Sequence, residues 1–264
     1  MRKFAVGVLV PCAVVLSALT APVAGAAPGD GDGDLKITNV SVNGGKSVVV
    51  GTTQTKTVVV AVTAKDSSGL NAAYADIWST ATATGFGYHK NLGCKPVNAT
   101  TAICSLSFVM DPGSAAGRVG LENAQAGAWN TYLEVSSKDH DVVTRNNKDK
   151  FYVRRYAKLT TDASPEPIAK GRTLTVTGKL SRANWDDNAY HGYAGQAVKL
   201  QFRKAGTSTY TTVKTISTSR TGTLRTTVTA SADGYWRYAF TGTTTTASIK
   251  AVGDYVDTSR RTST

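Results

Sequence analysis

The chain has 264 residues and a formal net charge of +12, from 30 Lys and Arg against 18 Asp and Glu. Three cysteines and three scattered histidines argue against a zinc centre and against a thiol enzyme. No run of Lys or Arg exceeds two residues, which favours charge dispersed over a sheet face, and we expect no specific nucleic-acid partner.

The first residues are typical of a secretory signal peptide. Residues 1–3 carry two positive charges, residues 4–19 are apolar, and the sequence AGA at 24–26 matches the small-residue pattern of a cleavage site. We therefore expect a signal peptide over 1–26 and a mature protein released outside the cell. No second apolar segment follows, so no membrane span is expected in the mature protein; a retained anchor is the alternative.

From residue 35 onward, short segments rich in Val, Thr, Ile and Tyr alternate with Gly, Asn, Asp and Ser. This pattern is typical of an all-β protein. A helical turn is expected only near 120–127. In the first half we predict strands over 35–42, 55–66, 74–79, 101–110, 128–137 and 150–159.

The second half repeats this pattern. A glycine precedes a tryptophan by two residues in a late strand of each half, Gly127 before Trp129 and Gly234 before Trp236. We interpret the repeat as a duplicated β-sandwich, with these aromatic side chains in the core. The predicted strands of the second half are 167–180, 196–204, 208–218, 222–231, 235–242 and 246–252.

These strands predict two tandem immunoglobulin-like (Ig-like) antiparallel β-sandwiches, over 35–155 and 156–257. The boundary is expected in the stretch VRRYAKLTTDASPEP. A flexible Gly/Asp segment over 27–34 precedes the first domain, and a disordered tail over 258–264 follows the second.

Positive charge is concentrated in the second half. Residues 27–155 have 13 Lys and Arg against 11 Asp and Glu, whereas residues 156–264 have 15 against 7. A basic secreted domain makes an anionic cell-wall polymer, an extracellular polymer or an acidic protein a candidate partner. The alternative is that the cations are solvated on a polar sheet face.

The mature chain keeps two cysteines, Cys94 and Cys104, in GCKPVNATTAICSL. Because the expected compartment is oxidising, this spacing predicts one local disulfide across a hairpin or loop.

Three stretches, PEPIAKGRTLTVTGKLSRANW, YAGQAVKLQFRKAGTSTYTTVKT and SADGYWRYAFTGTTTTAS, resemble the Ig-like modules of secreted actinobacterial proteins. The likeness is to Streptomyces-type two-domain proteins in particular, some of which are loosely labelled calcium-binding. It covers 156–257 well and 35–155 more weakly. It implies an Ig-like sandwich outside the cell and implies no activity.

Acidic residues mark one end of the first sandwich as a candidate calcium site. In an Ig-like fold the N-terminus, the B–C loop and the F–G loop meet at one pole, so carboxylates in these segments face each other. An EF-hand is excluded, because a loop starting at Asp30 has Leu35 and Ser41 where it needs glycine and glutamate. The alternative is a soluble linker with aspartates that stabilise turns. The candidate ligands are Asp30, Asp32, Asp34, Asp66, Asp139 and Asp141.

The stretch 181–196, SRANWDDNAYHGYAGQ, is predicted as a loop between the B and C strands of the second domain. Its polar and aromatic side chains suit either a carbohydrate or protein contact, or a plug between the two domains. Both interpretations stay open at this stage. The residues concerned are Asn184, Trp185, Asp186, Asp187, Tyr190, His191 and Tyr193.

No catalytic motif is present: the chain lacks G-x-S-x-G, H-E-x-x-H, a Walker loop and G-x-G-x-x-G. The three histidines lie far apart, and the glutamates show no paired-carboxylate logic. We therefore expect no catalytic residues. The predicted function is a secreted, non-enzymatic binding or structural protein ordered by calcium, with polymer binding or protein-targeted inhibition as alternatives.

Overall fold

A computed structural model describes residues 33–91, 94–113 and 120–258. The predicted signal peptide and the carboxylates of Asp30 and Asp32 lie outside these ranges, as does the predicted tail from residue 259. In the described part of the chain, no helix reaches the length and hydropathy that crossing a membrane requires.

In its described residues, the first domain consists of strands and two single 3₁₀ turns, at Asn43–Gly45 and Asn123–Gln125. The second turn lies where a helical turn was expected. The strands are β1 (Lys36–Val42), β2 (Val48–Val50), β3 (Lys56–Lys65), β4 (Leu70–Ser79), β5 (Gly85–Asn91), β6 (Lys95–Pro96), β7 (Thr101–Met110), β8 (Gly127–Ser137), β9 (Val142–Asn146) and β10 (Phe151–Arg155).

These strands form two facing sheets. One has the order β1-β3-β7-β6, which is the A-B-E-D sheet of an Ig-like sandwich, and the other has the order β2-β10-β8-β4-β5, with β9 also paired to β8. Only β2 and β10 pair in parallel within them. Alternate residues along β7 and β8 are buried, as the period-2 pattern requires.

The second domain begins two residues after β10 ends. Its strands are β11 (Ala157–Leu159), β12 (Asp162–Ser164), β13 (Thr173–Asn184), β14 (Ala189–Gly192), β15 (Ala197–Lys204), β16 (Thr211–Ser217), β17 (Thr223–Thr229), β18 (Gly234–Phe240), β19 (Ile249–Lys250) and β20 (Asp254–Val256).

The second sandwich has β13 at the centre of one sheet, paired with β11, β12, β14 and β17. The facing sheet has the order β16-β15-β18-β19, with β20 also on β18. The predicted all-β class and the two tandem Ig-like sandwiches are therefore confirmed.

Each sandwich encloses its own hydrophobic core. Trp129, at the centre of the first core, is fully buried and donates its indole N–H to the Gln125 carbonyl over 2.8 Å. Its counterpart Trp236 is buried in the second core beside Tyr238, which donates its hydroxyl to the Val176 carbonyl over 2.9 Å. The expectation that these strand aromatics form the core is confirmed.

Two element predictions are wrong. The segment 150–159 is not one strand, because it breaks at Tyr156, whose N–H bonds the Val50 carbonyl of the first domain over 2.8 Å while β11 starts the second. The stretch 181–196 is largely a β-hairpin, since β13 continues to Asn184 and pairs with β14. Both features depend on backbone pairing, which the local sequence pattern does not show.

The predicted disulfide between Cys94 and Cys104 is confirmed. It joins the residue before β6 to the buried face of β7, and Cys104 is fully buried.

Replacing both cysteines by alanine should lower the free energy of unfolding by about 2–3 kcal/mol, because the unfolded chain regains the entropy of a short closed loop. Denaturant titration followed by tryptophan fluorescence measures the loss. Reductant should shift the wild-type midpoint in the same direction and leave the double variant unmoved. A wild-type midpoint that ignores reductant contradicts a stabilising role for this bond.

Candidate functional site

Three loops meet at the pole of the first domain that lies away from the second domain. They are the segment before β1, the β3–β4 loop and the β8–β9 loop. One carboxylate oxygen each from Asp34, Asp66 and Asp141 lies within 4.8 Å of the other two. We call these three residues the acidic pole. They belong to the set predicted from the sequence.

Asp66 is the buried member of the acidic pole. Its side chain is fully buried, and its Oδ1 accepts the Ser68 N–H over 2.8 Å and the Ser68 hydroxyl over 2.6 Å. Its Oδ2 has no hydrogen-bond partner among the described residues. A buried carboxylate oxygen without a partner is costly, so this atom implies a missing donor or cation.

The other two aspartates are positioned by hydrogen bonds within the loops, Asp34 through its carboxylate and Asp141 through its backbone N–H. The Ser67 N–H donates to Asp34 Oδ2 over 3.1 Å, which ties the N-terminal segment to the β3–β4 loop. The Asp141 N–H donates to the Ser137 hydroxyl over 2.9 Å. Gly33 packs against the Asp141 carboxylate so closely that a Cβ at residue 33 overlaps it. The loops therefore hold the three acidic groups together despite their mutual repulsion.

Asp139 is not part of the acidic pole. Its carboxylate accepts the Ser137 hydroxyl, which lowers the pKa of Asp139, and its N–H donates to the Ser68 hydroxyl over 3.3 Å. It thus stabilises a turn, as the alternative interpretation expects of such aspartates. The serines that orient this pole were not predicted as site residues; the D-S-S-G turn motif at 66–69 was the available signal.

The chemistry of the acidic pole suits a hard cation. Carboxylate oxygens are the ligands that Ca²⁺ and Mg²⁺ prefer, whereas structural Zn²⁺ sites draw on thiolates and imidazoles. Within the described ranges, neither Asp34 nor Asp66 forms an ion pair with Lys or Arg. A cation bound here relieves the repulsion among the carboxylates and satisfies Asp66 Oδ2.

The predicted 181–196 contact residues separate into three places. Trp185, in the turn of the β13–β14 hairpin, is only 2 % exposed and packs in the core of the first domain. Its indole N–H points to the Val50 carbonyl at 3.4 Å. A side chain buried between the domains is not available to an external partner.

Asn123 of the first domain forms hydrogen bonds to the same turn. Its N–H donates to Asp186 Oδ1 over 2.8 Å, its side-chain oxygen accepts the Trp185 N–H over 3.0 Å, and its amide nitrogen contacts Asn184 Oδ1. This residue was missed by sequence reasoning, because nothing local links positions 61 to 63 residues apart.

Arg155 closes the junction from the linker side. Its Nε donates to the Ala183 carbonyl over 2.5 Å and its backbone N–H to Thr245 over 3.0 Å. Burial, together with repulsion from Arg182, lowers the pKa of Arg155 to about 10. Tyr190 packs against the core of the first domain, and the Lys158 ammonium lies 3.7 Å from its ring centroid.

The remaining predicted residues do not reach the first domain. Asp187 and His191 form an exposed pair, with Oδ2 and Nε2 2.6 Å apart. Tyr193 packs edge-on against Phe240 in the second core, with Arg182 stacked 4.0 Å from its ring centroid. The stretch therefore has no continuous contact surface.

No protein-family model matches the chain, and no curated protein matches it. Among solved structures, the D0–D1 domain of Intimin is similar at 13% identity and a TM-score of 0.28, covering 84% of this chain and 99% of that one. The D00–D0 domain of Intimin is similar at 12% identity and a TM-score of 0.29, covering 84% of this chain and 98% of that one. The Salmonella alpha-2-macroglobulin reacted with methylamine gives 10% and 0.34, covering 91% of this chain and 16% of that one.

Proposed function

We propose that this is a secreted, non-enzymatic Ig-like protein that acts outside the cell as a rigid two-domain scaffold, with the far end of its first domain ordered by calcium. The Cys94–Cys104 disulfide supports an oxidising compartment. The Trp185 contact supports rigid coupling of the domains, because burial across a junction opposes their independent motion.

The observation that carries the calcium proposal is the unpaired, buried Oδ2 of Asp66 beside two further carboxylates. Three loops from distant parts of the chain supply these groups, and nothing in local turn formation requires their convergence. The flexible, high-coordination geometry of Ca²⁺ suits oxygen ligands spread over loops better than the strict octahedron of Mg²⁺ does. Asp30 and Asp32 are proposed as additional ligands on their sequence positions alone.

Calcium should raise the melting temperature of the wild-type protein. At a Ca²⁺ concentration about 100-fold above the dissociation constant, linkage gives about 2.7 kcal/mol, which is about 5–10 °C for a chain of this size. Differential scanning calorimetry with Ca²⁺, with Mg²⁺ and with EDTA measures the shift. Mg²⁺ should produce a smaller rise.

Asp66→Asn tests the site itself. The amide keeps an oxygen for the Ser68 donors and places an N–H donor among the other carboxylates, so the variant should melt above wild type in EDTA and gain nothing from calcium. Asp111→Asn is the control, since Asp111 Oδ1 caps a similar turn by accepting the Gly113 N–H over 2.8 Å, outside the acidic pole. A wild-type melting temperature equal in calcium and EDTA, or a calcium shift retained by Asp66→Asn, refutes the proposal.

A further inference from the structure

The outer face of the β16-β15-β18 sheet, extended by β19 and β20, carries cations and tyrosines. Inward positions of β15 and β18 form the second core, with Leu200, Trp236 and Tyr238 among them. The outward positions alternate with these. By register they include Lys199, Gln201 and Arg203 on β15, Tyr235, Arg237 and Ala239 on β18, Lys250 on β19 and Tyr255 on β20.

Arginines and tyrosines on this face form a continuous stack. The Arg237 guanidinium lies 3.6 Å from the ring centroid of Tyr210. The Arg203 guanidinium lies between two rings, 5.3 Å from the Tyr210 centroid and 3.9 Å from the Tyr235 centroid. Tyr235 then contacts Tyr255, with centroids 5.0 Å apart. We call these five residues the Arg–Tyr stack.

The two arginines are also fixed by hydrogen bonds. Arg203 donates from Nη1 to the Thr207 carbonyl over 2.6 Å, and Arg237 donates from Nε to Gln201 Oε1 over 3.0 Å. Side chains held by both ring contacts and hydrogen bonds lose little entropy when a ligand binds.

Two lysines extend the positive charge along the sheet. Lys199 pairs with Ala239 across β15 and β18, and Ala239 pairs with Lys250 on β19, so the two lysines flank the same residue from either side. A shallow groove runs between them, lined by Gln201, Ser248 and Ile249 as well. None of the outward strand positions named above carries a carboxylate.

Carboxylates occur only at one end of the stack among the described residues that face it. Burial raises the pKa of the Tyr255 hydroxyl, and the charges of Asp233 and Asp257 add to that rise. Asp233 is itself engaged by the Thr258 N–H over 2.8 Å. The row of cations therefore runs from Arg203 and Arg237 toward Lys199 and Lys250, away from the acidic groups near Tyr255.

The arrangement favours phosphate over other ligands. Guanidinium groups match the oxygens of phosphate with directed donors, and fixed cations in a row suit a chain of repeated negative charges. Guanidinium groups cover the Tyr210 and Tyr235 rings, and this leaves little open aromatic surface for stacking by nucleobases or sugar rings.

We propose that this face binds a poly(alditol phosphate) chain, a phosphodiester polymer without bases, through the Arg–Tyr stack and the adjacent lysine groove. The proposal does not depend on the calcium site, which lies in the other domain. It places four of the cations of the second half, Lys199, Arg203, Arg237 and Lys250, on one defined surface.

The test uses the full chain and purified glycerol-phosphate teichoic acid, with binding measured by isothermal titration calorimetry over a range of NaCl concentrations. Arg203→Gln combined with Arg237→Gln should weaken binding at least tenfold, and the slope of log affinity against log salt should fall by about one to two, since each lost phosphate contact removes roughly one unit. Arg203→Lys with Arg237→Lys keeps the charge and should restore much of the salt slope.

Arg172→Gln combined with Arg225→Gln is the matched control. These exposed arginines belong to the other side of the sandwich, so the variant changes net charge equally and should keep wild-type affinity. Melting curves confirm that each variant is folded. The proposal is overturned by absent binding of the teichoic acid, by an equal loss in the control variant, or by tighter binding of single-stranded DNA or of a neutral glycan.

Discussion

Replacing Trp185 by alanine should remove about 3–5 kcal/mol from the free energy of unfolding of the first domain, although Trp185 belongs to the second. The indole is 2 % exposed and packs among residues of the first core, so its removal leaves a cavity there. The same change should separate a single cooperative transition into two, because the hairpin turn no longer joins the domains.

Calorimetry resolves the two transitions, and denaturant titration gives the loss of stability. Asp187→Ala is the control, since Asp187 lies in the same turn but its contacts, an exposed pair with His191 and the Ala189 N–H at 3.1 Å, stay within the hairpin, so a single transition should be kept. If Trp185→Ala unfolds in one transition at the wild-type midpoint, the hairpin turn does not occupy the first core, and the rigid-scaffold proposal fails with it.

Gly222→Ala should strongly destabilise the second domain. Gly222 has φ +79, and a Cβ there meets the Leu180 carbonyl oxygen and approaches the Tyr193 nitrogen to 2.8 Å. β14 ends and β17 begins at this point, both beside β13, so both neighbours are backbone and neither can move without breaking sheet hydrogen bonds. We expect a loss of about 4 kcal/mol or more.

Gly195→Ala separates the two contributions. Gly195 has φ +69 and nothing within 4 Å of its Cβ position, so this variant carries only the backbone penalty of about 1–2 kcal/mol. Denaturant titration of both variants gives the difference, which measures the close backbone approach. Equal losses at the two positions would show that the approach of β14 to β17 is looser than the structure has it.

The long strands of both domains were predictable because their side chains alternate. β3, β7 and β8 each bury every second residue over most of their length, β15 does so at Val198 and Leu200, and this repeat is visible in the sequence. Short strands such as β2, β6 and β12 escaped prediction. Two or three residues are too few to show a period. Such strands form because an adjacent strand offers backbone N–H and C=O groups for pairing.

The sequence predicted where the candidate site lies but not which aspartates form it. Fold topology brings the segments containing Asp34, Asp66 and Asp141 to one pole, and their side chains converge there. The same topology places Asp139 nearby, yet its carboxylate turns to Ser137 instead. Which oxygen points inward depends on side-chain rotamers and turn hydrogen bonds, and sequence spacing does not specify these.

The sequence by itself determined the all-β class, the two-sandwich organisation and the Cys94–Cys104 bond, because each depends on local periodicity or on residues close along the chain. Only the tertiary structure decided that Trp185 completes the core of the other domain and that Arg203 and Arg237 stack on tyrosines from other segments of the chain. Those contacts join residues distant in the chain, and they depend on strand register and domain placement, which emerge only when the whole chain packs.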